Sequence, residues 1–279
     1  MVRVDSARSR GNGGAVRDAV LALVRELEDP TQRLNLLREY LQACVLRSLH
    51  ESEAFQSLSF VGGTALRFLF DLPRFSEDLD FSLEDPTGYE PEKWIEKVKR
   101  DLSLASFNVT VTWNDRKTVN KAWIRVGEIL KDAGISDMGE QKLSIKLELD
   151  TRPPAGAVLE TRLVNRHMIF ALRHHELQSL MAGKIHALLT RSYPKGRDWY
   201  DLAWYRAKRP PISPNLTLLQ NSLDQTQGAG EIDAGIWKEQ VRARLETLGE
   251  FDLSQDAAAF LERREDAALL TLQNLRSIL

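Results

Sequence analysis

The stretch SFVGGTALRFLFDLPRFSEDLDFSL, residues 59–83, joins a Gly-Gly-Thr turn to two aspartates that stand one residue apart. Its pattern predicts a short strand over 58–61 that leads into the glycines and a helix over 65–70 that leaves them. A second strand is predicted over 79–83, entered through the aspartates. We therefore expect a strand-turn-helix-strand unit with acidic groups next to the turn.

The two aspartates of this stretch are predicted to lie on one face of the second strand. Successive strand residues face opposite sides, so Asp78 and Asp80 share a face while Leu79 and Phe81 share the other. Two carboxylates on one face repel each other unless a cation lies between them, and Mg²⁺ prefers oxygen ligands and substrate phosphates. Free amides at a helix start can bind an anion. Together these parts predict a site for a metal-bound nucleotide.

Composition limits the classes to which the chain can belong. It has 279 residues, 43% hydrophobic and 28% charged, with a net charge of -2 and one cysteine. These values are ordinary for a globular protein and exclude a disulfide framework or a cysteine-rich zinc site. No apolar run approaches the roughly 20 residues of a membrane span, and the basic start MVRVDSARSRGNGGA lacks the apolar core of a secretion signal. We expect a soluble cytoplasmic protein with no membrane partner.

Hydrophobic spacing predicts an α/β (α+β) fold with a mixed sheet flanked by helices up to about residue 175, followed by a mostly helical half. We expect a flexible tail over 1–14, a first domain over 15–175 and a helical domain over 176–279. Predicted strands beyond the opening unit cover 107–113, 122–126, 143–149, 162–164 and 168–172. Predicted helices cover 16–49 with a break at Asp29-Pro30-Thr31, then 91–104, 177–191, 198–208, 215–223, 236–248 and 256–279.

A third carboxylate is needed to complete a two-metal site. Glu148 is the first candidate, because it lies on a predicted strand whose opposite face is apolar; Asp150 shares that face and is the second. Solvent exposure is the plain alternative for both. Asp78 could instead cap a turn, and Thr64 is expected to cap the helix that follows the glycines.

Four ordered blocks of the sequence resemble a known family. The blocks are Gly62-Gly63-Thr64-Ala65-Leu66 with Arg74-Phe-Ser76-Glu-Asp78-Leu-Asp80-Phe81, then Lys146-Leu-Glu148, Lys184 to Arg191, and Arg197-Asp198-Trp-Tyr-Asp201-Leu202. They resemble the AbiEii/AbiGii (MenT-like) nucleotidyltransferase toxins of the polymerase-β-like nucleotidyltransferase superfamily. The resemblance covers residues 58 to 205 and implies a nucleotidyltransferase-type sheet.

The resemblance implies a role for each motif residue. Asp78 and Asp80 would hold Mg²⁺ against a nucleoside triphosphate, and Glu148 would complete the acidic cluster. Lys184 and Asp198 would be contributed to the cleft by the helical domain, as phosphate ligand and orienting group. The plain alternative for Asp201 is a surface carboxylate in the same helix. The expected nucleotide-binding set is Gly62, Gly63, Thr64, Arg74, Ser76, Lys146, Lys184 and Arg191. Without the resemblance, Lys184 and Arg191 would be a solvated helix face.

The family's activity implies a toxin that transfers a nucleotide to RNA, with the tRNA 3′ end as the expected acceptor, and that is controlled by a cognate antitoxin protein. Basic residues of the second half could follow a phosphate backbone: Arg162, Arg166, Arg173, Lys195, Arg197, Arg206, Lys208 and Arg209. Two alternatives stay open, a nucleotidyltransferase acting on a protein or small molecule and a catalytically degenerate helical interaction protein. The aromatic residues Trp199, Tyr200, Trp204 and Tyr205 could stack on a base but suit a helix core better.

Overall fold

A computed structural model describes residues 11–249 and 251–279 of the protein. The predicted tail, residues 1–14, lies largely outside the described residues. The first helix, α1 (Gly11–Arg25), begins within that predicted range.

The predicted break between the first two helices is confirmed. Helix α2 (Pro30–Glu51) begins with a proline at its first turn, where a missing N–H costs nothing. A carboxylate oxygen of Asp29 accepts a hydrogen bond from the Thr31 N–H at 2.8 Å and caps the helix. A 3₁₀ turn (Ala54–Gln56) then leads into the sheet.

The centre of the molecule is a seven-stranded mixed sheet in the order β3-β4-β5-β2-β1-β7-β6. Strands β2 and β5 are parallel, as are β1 and β7, and the other neighbouring pairs are antiparallel. The predicted α/β fold class is confirmed. Its elements are β1 (Leu58–Val61), α3 (Gly62–Phe70), β2 (Leu79–Leu83), α4 (Pro91–Leu104), β3 (Asn108–Asn114), β4 (Val119–Gly127), α5 (Ile129–Asp132), β5 (Leu143–Asp150), β6 (Leu159–Arg166) and β7 (Met168–His175).

Strict alternation along β5 orients the sheet. Leu143, Ile145, Leu147 and Leu149 are buried, while the residues between them are only partly covered. The buried side packs against the N-terminal helices, with α2 and α4 in contact with each other. The opposite face of the sheet therefore carries the polar side chains, including Glu148 and Asp150.

The second half is helical, as predicted. Its elements are α6 (Leu177–Thr190), α7 (Gly196–Ala207), α8 (Leu216–Gln227), a 3₁₀ turn (Ala234–Ile236), α9 (Trp237–Glu246), α10 (Leu253–Ala258), a 3₁₀ segment (Arg264–Leu269) and α11 (Leu272–Ile278). Over residues 11–249 and 251–279, the helices are too short or too polar to cross a membrane.

The prediction of one continuous helix over 256–279 is wrong. The backbone of Phe260 accepts a hydrogen bond from the Phe75 N–H at 2.7 Å, and the Glu262 N–H donates to the Pro73 carbonyl at 3.2 Å. Leu261 forms a β-bridge with Arg74 at the same point. Residues 260–262 are therefore extended and pair with the loop at residues 73–75. Because of this pairing, they cannot continue the helix begun in α10.

A buried ion pair joins this loop to the helical half. Arg74 is 2% exposed and donates from Nε and Nη2 to the two carboxylate oxygens of Asp201, each at 2.6 Å. The alternative that Asp201 is a surface carboxylate is therefore excluded, since its exposure is 0%. Burial alone would raise the pKa of Asp201, but the charges of Arg74 and Lys184 hold that pKa below its ordinary value.

Breaking this pair should be strongly destabilising. In an Asp201→Asn variant, the buried Arg74 and the partly exposed Lys184 lose their shared counter-charge, so we expect the free energy of unfolding to fall by about 3–5 kcal/mol. Urea titration of the purified variant measures the change.

A surface pair supplies the matched control. Glu246 and Arg276 also form a carboxylate–guanidinium pair, but both side chains are about half exposed. Glu246→Gln should cost far less than Asp201→Asn, because an exposed ion pair contributes little to stability. Equal, small losses in the two variants would contradict the assigned role of Asp201.

Candidate active site

The glycine turn lets the acidic and basic groups of the opening stretch approach the start of α3. Gly62 has a φ of 80°, and a side chain there would overlap the carboxylate of Asp80. A Cβ on Gly63 would lie 2.7 Å from Nη2 of Arg74 and 3.0 Å from Oγ of Ser76. The N-cap residue of α3 is Val61, which has no side-chain acceptor. The first-turn amides of α3 are therefore suited to an anion.

The expected capping role of Thr64 is wrong. Helix α3 begins at Gly62, two residues before Thr64, so Thr64 lies inside the first turn and is not the N-cap residue. Its hydroxyl instead donates to the backbone carbonyl of Asp78. Thr64 thereby ties the helix start to the entry of β2.

Strand register places a third carboxylate beside the aspartates. Asp80 on β2 is paired with Glu148 on the parallel strand β5, and Ser82 is paired with Asp150 two residues on. Glu148 forms ion pairs with Lys121 and Lys146, each at 2.8 Å. Lys121 was not anticipated from the sequence, although it alternates with buried residues along β4.

Crowding of these acids shifts their proton affinities. Burial, together with the charges of Asp78 and Glu148, raises the pKa of Asp80 to about 7, against opposing charges of Lys184 and Lys146. Burial likewise raises the pKa of Asp78. For Glu148, burial acts in the same direction, but hydrogen bonds from its two lysines hold the pKa below its ordinary value. The ionised forms of Asp78 and Asp80 are therefore disfavoured in the absence of a further cation.

These acids fit a divalent cation that takes its remaining ligands from elsewhere. Among the described residues, no group of three or more His, Cys, Asp or Glu side chains could hold a metal ion. Mg²⁺ is often bound through one or two carboxylates, water and substrate phosphates, so Asp78 and Asp80 match that donor set. Glu148 forms ion pairs with Lys121 and Lys146, and its role as a third metal ligand stays a prediction.

Cations reach the site from the helical half. Lys184 on α6 lies 2.8 Å from a carboxylate oxygen of Asp201 and 3.4 Å from one of Asp198. Arg191 lies 3.2 Å from the other oxygen of Asp198, which is 4% exposed in the first turn of α7. Asp198 thus bridges the two cations that the resemblance assigns to phosphate binding.

The main cleft lies between the sheet and the helical half. Gly62, Gly63, Asp80, Lys184 and Arg191 line it. Its volume of about 380 Å³ falls in the range of about 300–1,000 Å³ typical of small-molecule sites. The rest of the lining mixes apolar and polar side chains, among them Leu180, Leu218, Ser222, Gln225 and Thr226. The cleft therefore offers charged, polar and apolar contacts to a ligand.

A second cavity, the side cleft, lies next to Asp78. Asp78 lines it together with Arg38, Trp123, Lys142 and Lys146, and its volume is about 570 Å³. Lys146, expected among the nucleotide-binding residues, lines this side cleft. Asp78 and Asp80, one residue apart, thus open onto different cavities.

Other expected site residues lie behind the cleft walls. Arg74 is held by Asp201, and Ser76 lies against Gly63, so both adjoin the turn without lining either cleft. The aromatic residues Trp199, Tyr200 and Tyr205 are buried in the core.

Much of the basic charge expected to follow an RNA backbone makes contacts within the protein. Arg162 donates to the Leu69 carbonyl, Arg173 to the Leu58 carbonyl and Arg206 to the Ile278 carbonyl. Arg166 pairs with Asp71, and Arg197 with Glu77.

Comparison with known proteins identifies the family. A sequence model described as nucleotidyl transferase AbiEii toxin, type IV TA system, matches residues 44–273. A candidate nucleotidyltransferase from H. pylori is 20% identical, with 88% of this chain and 92% of that chain covered and a TM-score of 0.49. JHP933 from Helicobacter pylori is 18% identical, with 88% and 89% covered and a TM-score of 0.45. A search of curated proteins gave no match.

The chain is therefore a nucleotidyltransferase. More narrowly, it belongs to the AbiEii toxin family, whose members are the toxin component of type IV toxin–antitoxin systems. The matched region includes the glycine turn, both aspartates and the cations of α6.

The raised pKa of Asp80 predicts a pH-dependent stability of the metal-free protein. Asp80 keeps its proton up to about pH 7 when folded but, with an ordinary pKa of 3.8, loses it much earlier when unfolded. The free energy of unfolding therefore falls as pH rises through this window. Asp80→Asn removes the effect, so above about pH 7 it should be more stable than wild type by up to about 4 kcal/mol.

Urea titrations in EDTA at about pH 4 and about pH 8 measure this difference, which should nearly vanish at the acidic end. Asp115→Asn, at an exposed loop position, is the matched control. It should change the free energy of unfolding little at either pH. A stabilisation by Asp80→Asn of the same size at both pH values would contradict the assigned proton affinity.

Proposed function

We propose that this toxin transfers a nucleoside monophosphate from a nucleoside triphosphate to an RNA acceptor in an Mg²⁺-dependent reaction, with the tRNA 3′ end as acceptor. The observation that carries the proposal is the convergence of Asp80, the glycine turn and Lys184 on one cleft, with Asp78 one residue away. Blocked translation would follow from a modified tRNA end. We place this activity in the cytoplasm, where tRNA and nucleotides occur.

In this proposal the triphosphate occupies the main cleft next to the glycine turn. The amides of Gly62 and Gly63 contact its phosphates at the start of α3. Lys184 neutralises phosphate charge as a compact ammonium group, and Arg191 adds a second cation from the end of the same helix. The nucleoside then contacts Leu180 and Leu218, which line the same cleft.

Asp78 and Asp80 would hold Mg²⁺ in this site. When bound, the ion supplies charge stabilisation for the oxygens that enter and leave the α-phosphorus. Glu148 lies beside Asp80 on the next strand and keeps Lys121 and Lys146 close to the acids. Asp198 orients both phosphate-binding cations.

Three of the expected nucleotide-binding residues position other groups in this proposal and do not contact the nucleotide. Arg74 and Ser76 pack against Gly63 and support the glycine turn. Thr64 holds the helix start to the backbone of Asp78. Their replacement should disturb the placement of the turn and the aspartates rather than remove a direct nucleotide ligand.

Removing either aspartate should abolish transfer. Asp78→Ala and Asp80→Ala each lose several kcal/mol of transition-state stabilisation, so turnover should fall about 1,000-fold or more. The assay incubates purified protein with Mg²⁺, each labelled nucleoside triphosphate in turn and total RNA, and follows label in the tRNA band. Circular dichroism shows that each variant is folded.

Asp115→Asn serves as the control and should keep wild-type turnover. Near-native transfer by either alanine variant would refute the metal assignment. Label that appears on protein or on a small molecule instead of RNA would refute the acceptor while leaving the nucleotide site intact.

A further inference from the structure

We propose that the side cleft binds the single-stranded 3′ end of the acceptor RNA, with Trp123 as the stacking surface for a base and Lys142 as a phosphate contact. The inference rests on the proposed function and deepens it by assigning the acceptor its own site. The side cleft is the cavity lined by Asp78, Arg38, Trp123, Lys142 and Lys146.

The direction of the reaction favours this assignment. In an in-line displacement the attacking and leaving oxygens lie on opposite sides of the phosphorus. With the triphosphate on the glycine turn of the main cleft, the acceptor hydroxyl needs a separate route to the aspartates. The side cleft offers one, because Asp78 lines this cavity and does not line the main cleft.

Strand register connects the aspartates to the aromatic residue. Lys146 on β5 is paired with Trp123 on β4. Leu79 is paired with Leu147, so Asp78 precedes the paired segment of β2 at the level of Lys146. Two strand spacings, about 10 Å in total, separate the backbone of Asp78 from that of Trp123. A base on Trp123 thus lies within reach of a hydroxyl held at Asp78.

The exposed indole is placed among cations. Trp123 is 37% exposed, and its ring centroid lies 5.9 Å from Nζ of Lys146 and 5.6 Å from Cζ of Arg125. An aromatic face flanked by basic groups is the combination with which proteins bind single-stranded nucleic acids without reading their sequence.

Two further cations of the side cleft have little or no counter-charge. Lys142 is exposed and, among the residues the structure describes, forms no ion pair. Arg38 is only 14% exposed, and its nearest carboxylate, Glu77, lies 3.6 Å away and also pairs with Arg197 at 3.0 Å. The buried Nε of Arg38 has no hydrogen-bond partner in the described structure. A phosphate group would supply the missing negative charge.

The cleft chemistry favours a polynucleotide over a protein acceptor. A hydroxyl of a protein side chain needs access to Asp78 but gains nothing from a stacking surface and a free lysine. A nucleotide end uses both, since its base stacks and its phosphate is anionic.

Kinetics with an RNA hairpin that carries a short single-stranded 3′ tail tests the assignment. Trp123→Ala should raise the KM for this RNA about 10-fold or more, as expected for a lost stacking contact, and leave the KM for the nucleoside triphosphate within about twofold. Trp123→Tyr should restore most of the affinity. Lys142→Gln should raise the RNA KM and reduce its dependence on salt.

Matched controls separate these effects from general damage. Phe251→Ala removes an aromatic side chain of similar exposure, 39%, outside both clefts. Lys99→Gln removes an exposed lysine on α4. Neither should change the RNA KM.

A binding measurement keeps the test independent of catalysis. The same hairpin with 2-aminopurine in its tail, titrated without triphosphate, should lose fluorescence on wild-type protein and not on Trp123→Ala. Suppose that the wild type transfers label to RNA, and that Trp123→Ala has the same KM for RNA and the same quenching as the wild type. This result would overturn the acceptor site and leave the proposed function intact. Absence of RNA transfer by wild type would overturn the proposed acceptor, and quenching would still decide whether Trp123 binds the tail.

Discussion

The buried ion pair between Arg74 and Asp201 is the interaction on which the geometry of the site depends. It joins the loop before β2 to helix α7, and Asp201 also binds Lys184 of α6 at 2.8 Å. Taking these charges out of water is unfavourable, and only their mutual contacts compensate for it. The helical half is therefore held in the one placement that keeps them paired. In that placement Lys184 faces the glycine turn, and the guanidinium of Arg74 lies beneath Gly63.

A second constraint comes from the sheet itself. Parallel pairing of β2 with β5 sets Asp80 beside Glu148, and a left-handed glycine lets the Asp80 carboxylate lie over the turn. Burial, together with repulsion from Asp78 and Glu148, raises the pKa of Asp80 to about 7. A cluster of this kind is unfavourable for folding alone. Binding of a cation between Asp78 and Asp80 would remove that penalty, so the same feature links stability to ligand binding.

Local patterns in the sequence were enough to predict the opening unit. Strands 58–61 and 79–83 and the helix over 91–104 match the structure, because glycines, prolines and alternation mark their ends within a few residues. The register between β2 and β5 is long-range, so the sequence could offer Glu148 only as a candidate and could not find its partner Lys121. The same limit left the surface alternative open for Asp201 and produced the error over 256–279. In both, the deciding contact is with the loop around Arg74, far away in the chain.

The central claim is that Asp78 and Asp80 bind the metal and that the glycine turn and Lys184 bind the triphosphate. A crystal structure with Mn²⁺ and a non-hydrolysable nucleoside triphosphate, measured at a wavelength where manganese scatters anomalously, tests it directly. The account predicts an anomalous peak in contact with both aspartates and phosphate density against Gly62, Gly63 and Lys184. Manganese bound away from both carboxylates, or phosphates outside the main cleft, would contradict it.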